Sequence, residues 1–319
     1  MAKALFKQLM TLLVSLLGLT VLTFALSQQT STPLHPYQSS NLFGQYFEYI
    51  GYLLQGEWGV SSIHKRDVLS DFLHHFPATI ELISFAILFA LLFGLGLGIW
   101  AASKRGKWID QFLMTTTLVG YSMPIFWWGM LLVLLFSLTL GWTPVAGRID
   151  YIYDIQPVTG FMLIDTLITQ HSYGMSAFAN ALHHLLLPAI TLSTIPMAII
   201  ARMTRSSLLS VLKAEYIRTA RSKGLNWQRI IWIHALRNAF QPILTISGVQ
   251  ISIIMTGVIL TEYIFAWPGV GKWLLEAVSR RDYASIQGGV LALSFFVVIF
   301  NLGLDLLASY INPRLRRPS

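Results

Sequence analysis

Apolar residues gather into six long runs along the chain, and the stretches between the runs hold most of the charges. A helix needs about 20 mostly apolar residues to cross a bilayer, and each run has roughly that length. Each run is bounded by charges or by Pro, Gly and Asn, which are typical of helix ends. The pattern predicts an all-α integral membrane protein, a single domain over residues 1–319 with six transmembrane helices. The predicted helices are at about 9–27, 79–103, 111–137, 182–201, 243–264 and 287–311.

The distribution of Lys and Arg predicts how these helices are oriented. Alternate connections carry 16 of the 22 basic residues, and basic loops stay in the cytoplasm. We therefore expect both termini in the cytoplasm and two long outer connections, 28–78 and 138–181. The cytoplasmic connections would be 1–8, 104–110, 202–242 and 312–319.

Composition removes several classes of function. Hydrophobic residues make up 55% of the chain and charged residues 11%, against about 25% charged in an ordinary soluble domain. There is no cysteine, which excludes disulfides, thiolate catalysis and Cys-ligated zinc or iron–sulfur sites. The formal charge of +8 lies between apolar runs rather than on a soluble basic face, so it indicates topology and not nucleic acid.

The first run begins after Lys3 and Lys7 and ends near "ALS" at 25–27, which loosely resembles a signal peptide. It is longer than the usual apolar region of about 7–15 residues, so a retained helix is favoured over a cleaved one. Near the other end of the chain, Trp273, Leu274 and Val278 follow a Pro-Gly break with helical spacing. They predict a short helix at the outer interface within 265–286.

The inner loop 202–242 has its own internal pattern. It holds eight basic residues and one acidic residue, Glu215, which topology or anionic lipid could explain. Its apolar residues, however, repeat with helical spacing on both sides of Gly224, a residue type that often ends helices. The pattern predicts a compact knob of two short helices. The residues with this spacing are Leu209, Leu212, Tyr216 and Ala220, and then Ile230, Ile231, Ile233 and Leu236.

The segments "RTARSKG" at 218–224 and "HALRNA" at 234–239 resemble the coupling motif of ABC importer membrane subunits. That motif usually begins with Glu-Ala, where this chain has Arg218 and Thr219, but Ala220 and Gly224 match it. The departure is typical of the dipeptide/oligopeptide permease branch. Further segments similar to the B-type subunit of that branch, among them "GYSMPIFWWGM" at 120–130 and "TEYIFAWPGVGKWLLEAVSRRDY" at 261–283, extend from about 76 to the end.

The resemblance implies a type I ABC importer permease in a bacterial inner membrane. The expected partners are a second, non-identical permease, two ABC ATP-binding subunits and an extracytoplasmic peptide-binding protein. ATP and Mg would be bound by the partners, with no cofactor or catalytic residue in this chain. The resemblance assigns ATPase coupling to Tyr216, Arg218, Thr219, Ala220, Arg221, Lys223, Gly224 and Leu225.

The glycine-rich stretch "GLGLG" at 94–98 is not a phosphate-binding loop, because it lies within a span and no Lys-Ser/Thr follows. Hydrolysis must therefore take place on another polypeptide. Gly94, Gly96 and Gly98 are predicted to allow close helix packing.

The substrate is left open by the sequence. The outer segment after the first helix is shorter than in dipeptide permeases, and "GVSSI" at 59–63 is similar to the Sap-type branch associated with antimicrobial peptides. Uptake of dipeptides, of antimicrobial peptides, or of haem or nickel by the same family is compatible with the chain.

Candidates for the translocation path or its gate come from polar and helix-breaking residues inside the spans. Pro124 and Pro196 predict kinks, and Trp127 and Trp128 lie near mid-span, where a cavity wall or packing is expected. Glu262, like Glu81, lies near the outer end of a span and either lines the entrance or is structural. Asp305 is expected to pair with a basic residue of the inner loop.

Other classes of protein fit less well. His74–His75 and His183–His184 are adjacent pairs, and neighbours on a helix point apart, so no metal site is predicted. An ion channel is not favoured, because the sequence shows no re-entrant segment that resembles a selectivity filter. An intramembrane enzyme would need a reactive constellation, and Asp305 has no partner acid at its depth.

Overall fold

The computed structural model describes residues 2–28, 39, 41–169 and 173–311. Within these ranges the chain is helical, and its only β-type pairing is an isolated bridge between Val60 and Asp67. The main helices are α1 (Ala2–Gln28), α2 (Leu42–Leu54), α3 (Val68–Ser103), α4 (Trp108–Ser122), α5 (Ile125–Leu132), α6 (Met162–Ile168), α7 (Met175–Val211), α8 (Glu215–Ser222), α9 (Leu236–Ile264), α10 (Val270–Ser279) and α11 (Tyr283–Ile311). Two π-helical segments, Val133–Thr139 and Ile230–Ala235, continue α5 and precede α9.

All six predicted spans coincide with helical segments. Over the described residues, four helices are long and apolar enough to cross a membrane, and a bent pair makes a fifth. The remaining one, α1, has 27 residues and is about 40 Å long at 1.5 Å per residue. The helices α3 and α7 have 36 and 37 residues, so each is far longer than the roughly 30 Å hydrocarbon layer and extends beyond it.

The third predicted span is broken rather than kinked. The helix α4 ends at Ser122, α5 begins at Ile125, and the two segments are bent by 110°. Met123 is extended, with φ −85° and ψ 133°, because a residue that precedes proline avoids the α conformation. Pro196 lies within α7, which continues through it without interruption, so this proline does not break its span.

The helices α3 and α7 form the centre of the bundle. A Cβ atom on Gly98 would lie 2.5 Å from the carbonyl oxygen of Ala201, and one on Gly94 would lie 2.9 Å from Ile200. The predicted packing role is therefore confirmed for Gly94 and Gly98, which are four residues apart on one helix face. It is wrong for Gly96, which faces open space.

The outer connections contain helices as well as loops. The short helix predicted within 265–286 is present as α10; its place at the outer interface stays a prediction. The connection 28–78 holds α2, which the sequence analysis did not predict, and the first part of α3. Tyr49 of α2 hydrogen-bonds Thr23 of α1 through its hydroxyl at 2.9 Å, so α2 packs against the outer end of α1.

Candidate functional site

The coupling segment is a short helix held between two spans. The sequence predicted one helix through Leu209, Leu212, Tyr216 and Ala220, but α7 ends at Val211 and α8 starts at Glu215. Ala214 between them is extended, with ψ 148°. A straight helix would leave Ile217 in water, whereas the turn buries this side chain completely. Burial of apolar area favours the turn.

Gly224 ends α8 as predicted. Its φ of +75° lies in the left-handed region, which glycine adopts without steric cost. Its amide donates to the carbonyl of Arg221 at 2.9 Å, and Leu225 N–H donates to Ala220 at 3.3 Å. Hydrogen bonds of this kind satisfy the last carbonyls of a helix and turn the chain toward Asn226.

One face of α8 packs against the π-helical segment Ile230–Ala235 of the same chain. Ile217, Ala220 and Ile230 form a buried cluster with half-buried Leu212 and Leu225 packed against it. The resemblance assigns Ala220 to coupling with an ATP-binding subunit. Ala220 faces Ile230 instead, so its small size allows close packing within this chain.

The opposite face of α8 is exposed and basic. The exposed residues of α8 and its end include Tyr216, Arg218, Thr219, Arg221 and Lys223, together with Glu215 and Ser222. Arg218 pairs with Glu215 at 2.9 Å at the surface. The Arg221 guanidinium lies 4.7 Å from the Trp227 ring centre, so stacking holds it on this face.

A polar contact joins α8 to the start of α9. The Tyr216 hydroxyl accepts a hydrogen bond from Asn238 at 2.8 Å and donates to the carbonyl of His234 at 3.4 Å. Asn238 also donates to that carbonyl at 2.9 Å. Asn238 was not among the predicted site residues, although the motif "HALRNA" contains it.

A buried ion pair lies at the base of the knob. Arg205 of α7 donates to both carboxylate oxygens of Asp110, at 2.5 and 2.8 Å. The Gly106 amide donates to the same carboxylate at 3.0 Å. The Asp110 side chain is only 3% exposed, so this bidentate contact ties the start of α4 to the last part of α7.

The predicted path residues separate into two groups. Pro124 and Trp127 are exposed beside the helix break, whereas Trp128 turns inward and donates to the Thr194 hydroxyl at 3.0 Å. Pro196 is buried within α7, so it does not line a path in this conformation.

Glu262 is structural in this conformation. Its side chain is fully buried and accepts hydrogen bonds from the Thr79 hydroxyl at 2.6 Å and the Gly271 amide at 2.7 Å. Lys272 N–H donates to it at 3.1 Å. The carboxylate thus caps the start of α10 and cannot reach cargo, because all of its surface is covered by this chain.

Glu81 is also structural, and its partner was not predicted. Arg148 donates to it at 2.6 Å, and the Leu163 amide donates at 2.9 Å. The Arg148 guanidinium also lies 5.4 Å from the Trp267 ring centre. This buried pair holds the outer connection 138–181 against α3. Only the motif "TPVAGR" at 143–148 marked the arginine in the sequence.

The bundle contains a cleft that the sequence did not predict, on the side of the coupling segment and here named the inner groove. Its volume is about 600 Å³. Its walls come from three spans: Met114 and Leu118 of α4, Arg202, Met203 and Ser206 of α7, and Ile246 of α9. Apolar walls with a few polar groups are typical of small-molecule sites.

The predictions that the chain holds no metal site and that Asp305 pairs with a basic residue remain without a structural test. Among the described residues, no group of three or more His, Asp or Glu side chains could hold a metal ion; His75 and His184 hydrogen-bond backbone oxygens one turn earlier. The side chain of Asp305 and the terminal segment 312–319 lie outside the described part of the chain.

Comparison with known proteins identifies what this architecture resembles. Residues 94–317 match the family described as "Binding-protein-dependent transport system inner membrane component". The "Di/tripeptide transport system permease protein DppB" of Pseudomonas aeruginosa is 53% identical over 86% of this chain and 81% of its own. The "Peptide transport system permease protein SapB" of Salmonella typhimurium is 38% identical over 96% of this chain and 95% of its own. Among solved structures, an inward-facing MetNI methionine ABC transporter matches with a TM-score of 0.51 and 12% identity, covering 83% of this chain and 98% of that chain.

Proposed function

The chain belongs to the family of inner-membrane components of binding-protein-dependent transport systems, and from that premise we propose that it is the permease subunit of an ATP-driven importer of di- and oligopeptides. The exposed basic face of α8 is the observation that carries the proposal. It projects between two spans, α7 and α9, which also line the inner groove. Movement of α8 by a partner would therefore move two walls of a cleft.

The knob is suited to transmit force because its two faces differ. Ile217 and Ala220 attach α8 to this chain, while Arg218, Arg221 and Lys223 stay available to acidic groups or backbone carbonyls of an ATP-binding subunit. Closure of two such subunits on ATP would draw two knobs together and rock the attached spans about a central path. ATP and Mg would be bound entirely on those partners, and this chain would contribute no catalytic residue.

The complete transporter would contain a second, non-identical permease, two ABC ATP-binding subunits and an extracytoplasmic peptide-binding protein. We place both termini and the knob in the cytoplasm, as the Lys and Arg distribution indicates. Primary selectivity would come from the binding protein, and the permease pair would form the path.

Di- and tripeptides are the favoured cargo because the di/tripeptide relative is 53% identical, well above the 38% of the Sap-type relative. One observation favours the Sap-type alternative, uptake of antimicrobial peptides. The Sap-type match covers 96% of this chain against 86% for the dipeptide match.

The test is purification of the tagged chain from its native membrane in gentle detergent, with mass spectrometry of its partners. ATPase activity is then measured with the binding protein loaded with di-, tri- or longer cationic peptides. Recovery of a second permease and ATPases, with stimulation by short peptides, is the expected result. Stimulation by long cationic peptides alone would support the Sap-type function. A chain that purifies without any ATPase would refute both.

A further inference from the structure

Arg202 is an exposed cation in the inner groove. Within the described part of the chain, no carboxylate pairs with it. The other arginine of the groove, Arg205, is neutralised by Asp110, so Arg202 supplies the groove's net positive charge. Arg202 follows directly on the apolar run 182–201 of α7, and ionisable groups beside or within a span are candidates for function.

The direction of the Arg202 side chain separates this residue from ordinary basic residues at the membrane surface. Its guanidinium lies 5.9 Å from the ring centre of Tyr121. Tyr121 is eleven residues beyond Asp110 along α4, or about 16 Å deeper at 1.5 Å per residue. The neighbouring Arg205 instead points to Asp110 at the inner end of α4. An arginine that faces lipid extends its charge back toward the nearer water layer, whereas Arg202 extends toward Tyr121, away from the end of α4 that holds Asp110.

Tyr121 leads directly to the helix break. Met123 is extended, and Pro124, Phe126 and Trp127 are exposed beside it. Interrupted backbone at membrane depth is tolerated where it is buried in protein or lines a water-filled cavity. Arg202 lines the inner groove and contacts Tyr121, two residues before the helix break, so it lies between the two features.

We propose that Arg202 binds the carboxylate of the cargo peptide as the peptide passes from the helix break through the inner groove. The guanidinium presents paired donors that match a carboxylate, and Tyr121 holds it in place by stacking. Met114, Leu118 and Met203 supply apolar walls that accept different side chains. The groove's 600 Å³ falls within the range of about 300–1,000 Å³ typical of small-ligand sites. This inference rests on the proposed function, since it names a specificity-determining residue for peptide cargo.

The test uses the complete transporter in nanodiscs, without nucleotide and without the binding protein. Binding of a labelled neutral dipeptide is compared with that of its C-terminal amide at millimolar concentration. The wild type should prefer the free carboxylate about tenfold, the effect typical of a charge-assisted hydrogen bond. Arg202→Gln should bind both ligands equally weakly, and Arg202→Lys should keep part of the preference because it keeps charge but not the paired donors.

Arg105→Gln is the matched control, because it removes an exposed cation of the inner side that does not line the groove. It should behave as wild type. Retained stimulation of Arg202→Gln ATPase activity by loaded binding protein shows that the variant is folded and coupled. If that stimulation is lost, Arg202→Lys provides the comparison.

Three outcomes overturn the inference: no detectable binding by the wild type, no preference for the carboxylate, or the same preference in Arg202→Gln. Loss of bound phosphatidylglycerol in Arg202→Gln, with unchanged peptide binding, would assign the groove to a lipid phosphate instead. Import of peptides by the wild type in proteoliposomes is measured separately. Its absence would refute the proposed function itself, whereas import with an unchanged preference in Arg202→Gln refutes only the role of Arg202.

Discussion

Replacing Ile217 by alanine should detach the coupling helix from its own chain while leaving its exposed basic face unchanged. Ile217 is fully buried, in a cluster with only two other buried members, Ala220 and Ile230. Truncation of a buried isoleucine to alanine costs about 2–5 kcal/mol. Half-buried Leu212 and Leu225 can move into the space, so the lower part of that range, about 2–3 kcal/mol, is expected here. At 1.4 kcal/mol per factor of ten, local opening becomes about 30- to 140-fold more frequent.

Hydrogen exchange measured by mass spectrometry on the purified complex reports this opening directly, because amides in a locally unfolding segment exchange in proportion to its open population. Amides of residues 217–225 should lose protection by that factor, while those of α3 keep theirs. Peptide uptake per ATP hydrolysed, measured in proteoliposomes, should fall because a loosened helix no longer transmits movement to α7 and α9.

The matched control for exchange is Ile233→Ala, the same change in the same loop at a side chain that is 52% exposed. It should alter protection of 217–225 little, since surface substitutions usually cost less than about 0.5 kcal/mol. Unchanged protection in Ile217→Ala, or an equal loss in both variants, would refute the view that this cluster holds the helix in place.

Four further predictions concern Gly224, Asp110 and Asp282. Gly224→Asn should keep coupling, because Asn also adopts the left-handed conformation. Gly224→Val adds about 1–2 kcal/mol of left-handed strain and should lower peptide uptake without affecting membrane insertion. Equal uptake by the two variants would contradict the role of the turn. Gly224→Trp should also insert and fail to couple, because Trp carries the same left-handed strain as Val and its indole would project from this exposed turn toward a partner. Asp110→Asn should cost about 1.5–3 kcal/mol, because it weakens a bidentate contact between charged groups whose Arg205 side chain is 30% exposed, and it should lower the Tm in detergent. Glu215→Gln, which breaks an exposed pair, should change stability by less than about 1 kcal/mol. Similar Tm shifts in the two variants would contradict the assignment. Burial alone would raise the pKa of Asp282, but hydrogen bonds from Ser61, Ser62 and Ser285 together lower this pKa below 3.8. The ionised Asp282 therefore stabilises the folded state above the unfolded-state pKa, and this contribution is lost as pH falls through the folded-state pKa. Cleavage of the 59–67 turn by a protease that is active at acid pH should therefore be slower in wild type than in Asp282→Asn near pH 5. The two rates should converge as the pH falls below about 4, and parallel rates would contradict the prediction.

Local patterns predicted much of the coupling segment. The helix stop at Gly224 and the exposure of Arg218, Arg221 and Lys223 follow from residue type and spacing over a few positions. The orientation of Ala220 did not follow, because both the exposed and the buried face of a short helix can carry a small residue. Only the contact with Ile230 decided between them.

The sequence by itself determined the helical spans, the basic inner loop and the family, since each depends on composition or spacing within short stretches. Tertiary structure alone decided that Glu262 is buried against Thr79, 183 residues away, that Arg148 pairs with Glu81 across 67 residues, and that Arg205 meets Asp110 across 95. Periodicity shows which face of a helix is apolar, but it does not show which charged groups come together. That depends on how the helices pack, and packing also left Arg202 beside Tyr121 without a described counter-ion.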